Sequence, residues 1–504
     1  MTPKNAPQSG PHIALVSLLD EMRCFGALYL AACLREKGVR TSLLFLPLKT
    51  GKRESDEEVD LVLSYFARQR PDAVGFSLMT CQALRARRLT EALRRRMPQV
   101  AVVWGGVHPT LCPEESIEYA DAVCVGEGED ALVELVDAWW VGGGRETAIQ
   151  NMWFRADGTV VRNPQRRLRV DLDSLPFPFH DFASSQVLHR GRIVPLTHGL
   201  YRHYMNWQGQ AYSIVTTRGC PFHCSYCCNS ALKQIYVGTY LRRRSVPNVI
   251  EEIAQARRVY PYTGIVNIQD DSFILNDDDW LAEFCRAYKA AVGLPLICRL
   301  IPVMATDARL AMLKEAGLQW AIAGLQSGSE RINQGIYNRK TTNRDFLECA
   351  KRIHRHGIFG IYDVILDGPF DTEEDVLKTL DVIQQIPKPF SLQVFSMILF
   401  PKTKLKELCD REGIPSNADP YEQGLSRIKE TYLNKLVMIA PFSPRALVRF
   451  FVERRRHRYA QILLDRYYSL YLAVFVNSRT YLRHFKSVPK LLKALNKAMR
   501  ARRG

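Results

Sequence analysis

No apolar run in the 504-residue sequence approaches the roughly 18 residues a helix needs to cross a bilayer; the longest, residues 467–476, stops at little more than half that length. A membrane-spanning helix is excluded. The first apolar stretch, residues 13–19, runs into Asp20 and Glu21 without a small-residue cleavage site, so it reads as a strand and not as a signal peptide. The expected compartment is the cytoplasm. Short Cys-x-x-Cys spacing is absent too, except at one place. Nine of the 13 cysteines (Cys24, Cys33, Cys81, Cys112, Cys124, Cys285, Cys298, Cys349 and Cys409) are scattered, as ordinary buried thiols of a reducing compartment are. A recognisable RNA-binding module is missing, so nucleic acid is not an expected partner despite a net charge of +17. That charge belongs to the tail: sixteen Lys and Arg follow Pro441 against only Glu453 and Asp465.

What is present is a repeated alternation of strand and helix. Strands are expected over residues 12–18, 40–46, 73–78, 100–104 and 122–125, with helices over 26–37, 83–97, 116–119 and 130–139; nothing is assigned between 47 and 72. Such alternation specifies a doubly wound parallel sheet, which binds ligands beyond the carboxyl ends of its strands. Glycines stand at those ends, in Trp104-Gly-Gly-Val-His-Pro-Thr110 and Val125-Gly-Glu-Gly-Glu129, where they let backbone approach a ligand closely. Residues 151–161 read as a hairpin turning at Asp157-Gly158, and the proline-stiffened Leu172-Asp-Ser-Leu-Pro-Phe-Pro-Phe179 as a linker. After residue 211 the alternation resumes, with strands over 212–216, 264–268, 296–300, 320–325, 360–366 and 390–395 separated by helices. Six such strands predict a partial or complete α/β barrel, active at its carboxyl end. The expected domains are therefore 12–149, a hairpin and linker at 150–210, the barrel at 211–410 and a basic helical extension at 411–504.

Four cysteines fall within Thr216-Thr-Arg-Gly-Cys-Pro-Phe-His-Cys-Ser-Tyr-Cys-Cys-Asn-Ser230, just past the first barrel strand. Cys220, Cys224 and Cys227 follow C-x3-C-x2-C, and three thiolates on one loop can each take a different iron of a cubane cluster, leaving the fourth iron open to substrate. Structural zinc is the alternative, with His223 or Cys228 as fourth ligand. Cys228, adjacent to Cys227, is expected to point elsewhere.

These residues resemble the C-x3-C-x-aromatic-C motif of radical S-adenosylmethionine enzymes, and the glycine-marked first domain resembles the cobalamin-binding domain that often precedes their barrel; together the resemblance spans roughly residues 12–410. It implies three cofactors: a [4Fe-4S] cluster on Cys220, Cys224 and Cys227, S-adenosylmethionine and cobalamin. Tyr226 is implied to face the nucleoside, and Gln269, Asp270 and Asp271 to take the methionine amino group, although they depart from the family's usual Gly-Gly-Glu. Gln326, Ser327 and Arg339 are implied to handle ribose and carboxylate, and Ile365, in Asp363-Val-Ile-Leu-Asp-Gly-Pro-Phe370, to pack on adenine. For cobalamin the resemblance implies Ser17, Ser77, Gly105, Gly106, His108, Pro109, Thr110, Gly126, Glu127 and Gly128. The Asp-x-His-x-x-Gly signature of cobalt-ligating domains is absent, because the loop after strand one reads Asp20-Glu-Met22-Arg-Cys-Phe25. Met79 is then the expected cover of the lower cobalt face.

By the same resemblance the chain is an enzyme that methylates an unactivated carbon through a 5'-deoxyadenosyl radical and methylcobalamin, with a reductant such as flavodoxin or ferredoxin. Oxidative cyclisation or rearrangement is the alternative chemistry, and a cofactor sensor without turnover the non-enzymatic one. The substrate class is a small or lipid-like molecule. Residues 488–503 place Val488, Leu491, Leu492, Leu495 and Met499 on one helical face opposite Lys and Arg. Two readings stand for this tail: a helix capping the barrel with a solvated basic face, and a peripheral contact at an anionic membrane.

Overall fold

The computed structural model describes residues 10–48, 52–156, 158–271, 273–422 and 427–472. The chain begins β1 (His12–Ser17), α1 (Phe25–Glu36), β2 (Arg40–Phe45), α2 (Asp56–Gln69), β3 (Ala73–Ser77), α3 (Ala83–Arg96), β4 (Ala101–Gly105), α4 (Val107–Leu111), α5 (Pro113–Ile117), β5 (Ala122–Cys124) and α6 (Glu129–Val136). It continues with β6 (Met152–Ala156), β7 (Thr159–Arg162), β8 (Ser185–His189), β9 (Arg192–Pro195) and α7 (His198–Tyr204). These nine strands form one sheet in the order β7-β6-β5-β4-β3-β1-β2-β8-β9. Its parallel centre has the doubly wound order 2-1-3-4-5, whose direction reverses between β1 and β3. The hairpins β6-β7 and β8-β9 extend the two edges. The hairpin pairs Ala156 with Thr159, while Asp157 itself lies outside the described residues.

The expected strands of this sheet are found within two residues of their predicted ends. Helix α2 went unassigned, yet its start carries a legible signal: Ser55 accepts from the Glu58 amide and the Glu58 carboxylate from the Ser55 amide, a reciprocal cap followed by buried Val59, Val62, Leu63 and Phe66. The helix expected at 116–119 instead occupies α4 and α5, because Pro113 pre-sets the first turn of α5. Val16, Val74, Val102 and Trp104 fill the core between sheet and helices, and the Trp104 indole donates to Thr90 at 3.0 Å.

Beyond α7 come β10 (Ala211–Ile214), β11 (Thr217–Arg218), α8 (Cys228–Ile235), β12 (Arg242–Arg243), α9 (Val246–Val259), β13 (Ile265–Ile268), α10 (Asp278–Ala291), β14 (Leu296–Leu300), α11 (Asp307–Ala316) and β15 (Leu318–Gln326). Then follow α12 (Asn343–Arg355), β16 (Phe359–Leu366), α13 (Glu373–Gln385), β17 (Phe390–Ser396), α14 (Lys404–Arg411), α15 (Tyr432–Ile439), α16 (Arg445–Glu453) and α17 (Arg458–Tyr471). The predicted six strands form one sheet, β10-β13-β14-β15-β16-β17, all parallel, which is a partial barrel. Ser245, Asp277, Thr306, Thr342 and Thr372 cap its helices, so each loop after a strand ends in a residue that accepts from the next helix's orphan amides.

Two compact units emerge. One comprises Met1–Met205, Thr216–Pro261 and Ile398–Leu425, and so contains the nine-stranded sheet together with the cysteine segment; the other comprises Asn206–Val215, Tyr262–Met397 and Ser426–Gly504, with the six-stranded sheet. No described helix is long and apolar enough to cross a membrane. The amphipathic pattern over 488–503 lies outside the described residues.

Candidate functional site

In the first unit the candidate cobalamin residues converge on the carboxyl ends of the central strands. Ser17, Ser77 and Gly105 are direct register partners across β1, β3 and β4, so they form one row at the point where strand order reverses. Sheets of this order take their ligands there. The next loops are stitched into a ledge: the Leu78 amide donates to Gly105 O at 2.8 Å, the His108 amide to Leu78 O at 3.1 Å, and the Gly126 amide to Thr110 Oγ1 at 3.0 Å. Pro109 and Thr110 are buried within it. Gly106 is possible only as glycine, because its φ is +102° and a Cβ there would stand 2.7 Å from both Leu78 N and Leu78 O. Met79, beside this ledge, is 46% exposed, uncommon for a large apolar side chain.

His108 tests whether the ledge fits a cofactor. The side chain is fully buried, yet neither ring nitrogen has a hydrogen-bond partner, and its nearest acid, Glu115, stands 3.8 Å away. Burial pushes its pKa down to about 4, so the imidazole is neutral at physiological pH. A buried polar ring without a partner costs free energy unless a ligand satisfies it. A polar cofactor seated on the ledge would supply such a partner, and on that ground the residues fit cobalamin. Glu127 is placed differently from the expectation of a ligand contact. Its carboxylate is taken by Arg242 at 2.7 and 2.9 Å and by Arg218 at 3.1 Å. Gly128, two residues after Gly126, begins the turn into α6.

The cysteine segment belongs to the same unit. It enters from the short β11-β12 ladder, in which Arg218 pairs with Arg242, and leaves into α8, whose first residue is Cys228. Gly219, at φ +93°, has room for no Cβ: one would stand 2.2 Å from Tyr240 O. The Cys227 amide donates to Cys224 O at 3.1 Å, closing a turn, and the Leu405 amide ties Ser225 O at 2.9 Å. Cys220, Cys224 and Cys227 are all half-buried. Cys228 packs against Leu111, Cys112, Ala231 and Leu232, which accounts for it as an apolar neighbour. Among the described residues no three His, Cys, Asp or Glu side chains converge on a single ion position. Three thiolates on one loop suit a cubane, in which each takes its own iron. The donor set fits a cluster.

In the second unit the remaining candidates sit at strand ends. Gln269 follows β13, its amide donating to Ile214 O at 2.8 Å; Asp270 beside it is buried and Asp271 is exposed. Gln326 ends β15 at φ +64°, where the register with β16 slips, and such bulges re-aim side chains beside functional sites. Ser327 is buried, its hydroxyl accepting from the Ser329 amide at 3.2 Å. Arg339 donates to Gly324 O at 2.9 Å. Ile365 is half-buried on β16. Tyr226, the remaining nucleoside candidate, lies in the cysteine segment of the first unit and is half-buried.

Sequence reasoning passed over an ion pair on these strands. Arg299 of β14 donates to Asp363 of β16 at 2.7 Å, and the second carboxylate oxygen of Asp363 is buried without a partner. Burial raises the Asp363 pKa, opposed by Arg299 and then Arg339. Charged residues inside otherwise apolar strands, Leu-Ile-Cys-Arg-Leu and Phe-Gly-Ile-Tyr-Asp-Val-Ile-Leu, were the available signal.

A cavity of about 450 Å³ opens in the same unit, lined by Asp367, Asp371, Lys429, Asn434, Arg456 and neighbours. Burial pushes the Asp371 pKa up to about 6. The folded state therefore binds a proton that the unfolded chain has released, and stability drops as pH rises from about 4 to about 6, by at most about 3 kcal/mol. Replacing Asp371 by Asn should flatten that dependence. Thermal denaturation of both proteins across this range checks it.

Comparison with known proteins gives these geometries a family. Residues 11–136 match the B12 binding domain and residues 214–383 the Radical SAM superfamily. An uncharacterised methyltransferase of Pyrococcus horikoshii is 27% identical over 344 residues, 67% of this chain and 69% of its own. The cytidylyl-2-hydroxyethylphosphonate methyltransferase of Streptomyces wedmorensis is 26% identical over 60% of each chain. The anaerobic magnesium-protoporphyrin IX monomethyl ester cyclase of Rubrivivax gelatinosus is 24% identical over 70% of this chain and 60% of its own. Among solved structures the fold is shared with the radical S-adenosylmethionine methyltransferase TsrM of Kitasatospora setae, bound to cobalamin and a [4Fe-4S] cluster (TM-score 0.63, 20% identity, 80% of this chain and 78% of that one). It is shared too with the cobalamin-dependent radical enzyme OxsB, bound to aqua-cobalamin and S-adenosylmethionine (TM-score 0.65, 14% identity, 97% and 76%). The chain thus carries a B12-binding domain, matched over the parallel centre of the nine-stranded sheet, together with a Radical SAM domain, matched over most of the six-stranded one.

Proposed function

We propose that the enzyme methylates an unactivated carbon of a small or lipid-like substrate. The observation that carries this reading is the presence, in one compact unit, of the switch-point ledge with its unsatisfied His108 and of the three-cysteine segment. The methyltransferases among its relatives support it. When bound, the cofactors supply radical generation and a transferable methyl group. The chain's own residues bind and orient them. Cys220, Cys224 and Cys227 hold the cluster; Ser17, Ser77, Gly105 and Gly106 seat cobalamin, with His108 donating or accepting one hydrogen bond and Met79 covering a face. Tyr226, Gln269, Asp270, Asp271, Gln326, Ser327, Arg339 and Ile365 bind S-adenosylmethionine, and the Arg299–Asp363 pair holds the strand ends that present several of them. A flavodoxin or ferredoxin supplies electrons.

Anaerobic reconstitution with iron, sulfide, cobalamin, methyl-labelled S-adenosylmethionine and a reductant tests the reading. Label in a carbon-bound methyl of a product, with 5'-deoxyadenosine formed alongside, is expected. No 5'-deoxyadenosine removes radical chemistry altogether, and 5'-deoxyadenosine with an unlabelled, ring-closed product assigns the chain to oxidative cyclisation.

The basic C-terminal region adds a membrane contact to this proposal. On α17, Tyr459, Ile462, Leu463 and Leu470 are exposed, with Arg458 and Arg466 on the same helix. A mixed face of apolar side chains with Arg466 among them and Arg458 at its edge suits the interface of an anionic bilayer. Pelleting with phosphatidylserine vesicles should be lost on removing residues 441–504 and weaken as salt is raised. Salt-insensitive binding that survives the truncation would end the idea.

A further inference from the structure

We propose that Glu127 is a positioning residue that locks the cysteine segment onto the cobalamin-binding loops and sets the charge beside the cluster. This rests on the cluster assignment made above.

Four buried or nearly buried charges meet here. Arg242, 2% exposed, grips both Glu127 oxygens, and Arg218 pairs with Glu127 at 3.1 Å and with Glu129 at 2.7 Å. The Tyr29 ring, 4.9 Å from the Arg218 guanidinium, completes the cage. Two arginines and two glutamates balance, which is the condition for burying them without stranding a charge. Glu127 lies in the loop after β5 and Glu129 opens α6; the two arginines are register partners flanking the cysteines. Arg218 is separated from Cys220 only by Gly219, which packs so closely on Tyr240 that no Cβ would fit there.

The other end of the segment is docked as well. Ala231 and Leu232 of α8 pack with Leu111 and Cys112, with Val107 and Cys228 against them, so the helix leaving Cys227 rests on the helix that carries His108. Asn151 braces the acidic loop from behind, donating to Glu127 O at 2.9 Å and accepting from the Arg166 amide at 2.6 Å. Both cobalamin loops, 105–110 and 126–128, thus hold the cysteine segment, one on each side. A glutamate in this position fixes one cofactor against the other without touching either.

The test compares wild type, Glu127→Gln, and the double variant Glu127→Gln with Arg242→Gln. Each is reconstituted anaerobically, assayed for bound iron and cobalamin, and titrated for the cluster midpoint potential by electron paramagnetic resonance. Removing one negative charge should favour the reduced cluster, raising the reduced-to-oxidised ratio at fixed poise by about tenfold, or about 59 mV for one electron. Bound cobalamin should stay within about twofold of wild type, as expected for a residue that positions through others. The double variant restores charge balance, so its potential should return toward wild type even where its stability does not. An unchanged potential in Glu127→Gln overturns the proposal, as does loss of cobalamin with the cluster unaffected, which would make Glu127 a ligand contact. A wild-type protein that assembles no cluster overturns instead the assignment beneath it.

Discussion

Replacing Cys224 by Ala should abolish 5'-deoxyadenosine formation and strip the reconstituted protein of its iron, while cobalamin stays bound. The magnitude follows from the position of the thiol. Loss of a residue that only supports a ligand costs about 10- to 100-fold in affinity or activity, so loss of the ligand itself should exceed about 100-fold. The Cys224 carbonyl accepts from the Cys227 amide through backbone alone, so an alanine leaves the turn intact and isolates the thiolate's contribution. The informative control is Cys228→Ala. That side chain packs in the apolar seam of Leu111, Cys112, Ala231 and Leu232, and truncating it should cost no more than about 1 kcal/mol of stability with iron retained. Iron and sulfide analysis, the visible spectrum and product assay on both variants distinguish three ligands from four. Equal loss of iron in the Cys228 variant would return the fourth-thiolate reading.

Much of this arrangement was legible before any coordinates. Strand positions followed from apolar runs bounded by glycine and proline, and the row Ser17, Ser77, Gly105 follows once those runs are stacked in parallel register. The cysteine spacing announced its chemistry because ligand spacing is a local property. What the sequence hid was pairwise. Glu127 reads as a loop acid between glycines, and nothing local says that Arg218 and Arg242, about 90 and 115 residues later, close on it. Arg299 and Asp363 are likewise 64 residues apart, and each alone is only a charge in an apolar strand. For His108 the resemblance implies only a cobalamin contact; that both its ring nitrogens are buried without partners is a fact of packing. Helix α2 was different, for its capping box was present in the sequence and went unread.

Gly106→Ala should weaken cobalamin binding by at least about thirtyfold, and the reason lies in two backbones and not in the cofactor. At φ +102° an L side chain is strained by roughly 1–3 kcal/mol. Its Cβ also meets Leu78 N and Leu78 O at 2.7 Å, and main-chain atoms cannot swing aside as a side chain can. Relief requires the loops after β3 and β4 to part, breaking the Leu78 amide bond to Gly105 and the His108 amide bond to Leu78. Those bonds hold Met79 and His108 on the ledge, so strain and lost contact add where the cofactor sits. Two kcal/mol reaching the bound state suffices for about thirtyfold. Gly38→Ala supplies the comparison: its φ is +74°, but a Cβ there meets nothing within 4 Å, and it lies between α1 and the start of β2, at the opposite end of the strands. That variant should lose about 1 kcal/mol of stability and keep its cobalamin. Equilibrium titration of the apoprotein, followed by visible absorbance, measures both; a Gly106 variant that binds as tightly as wild type would place the cofactor away from this ledge.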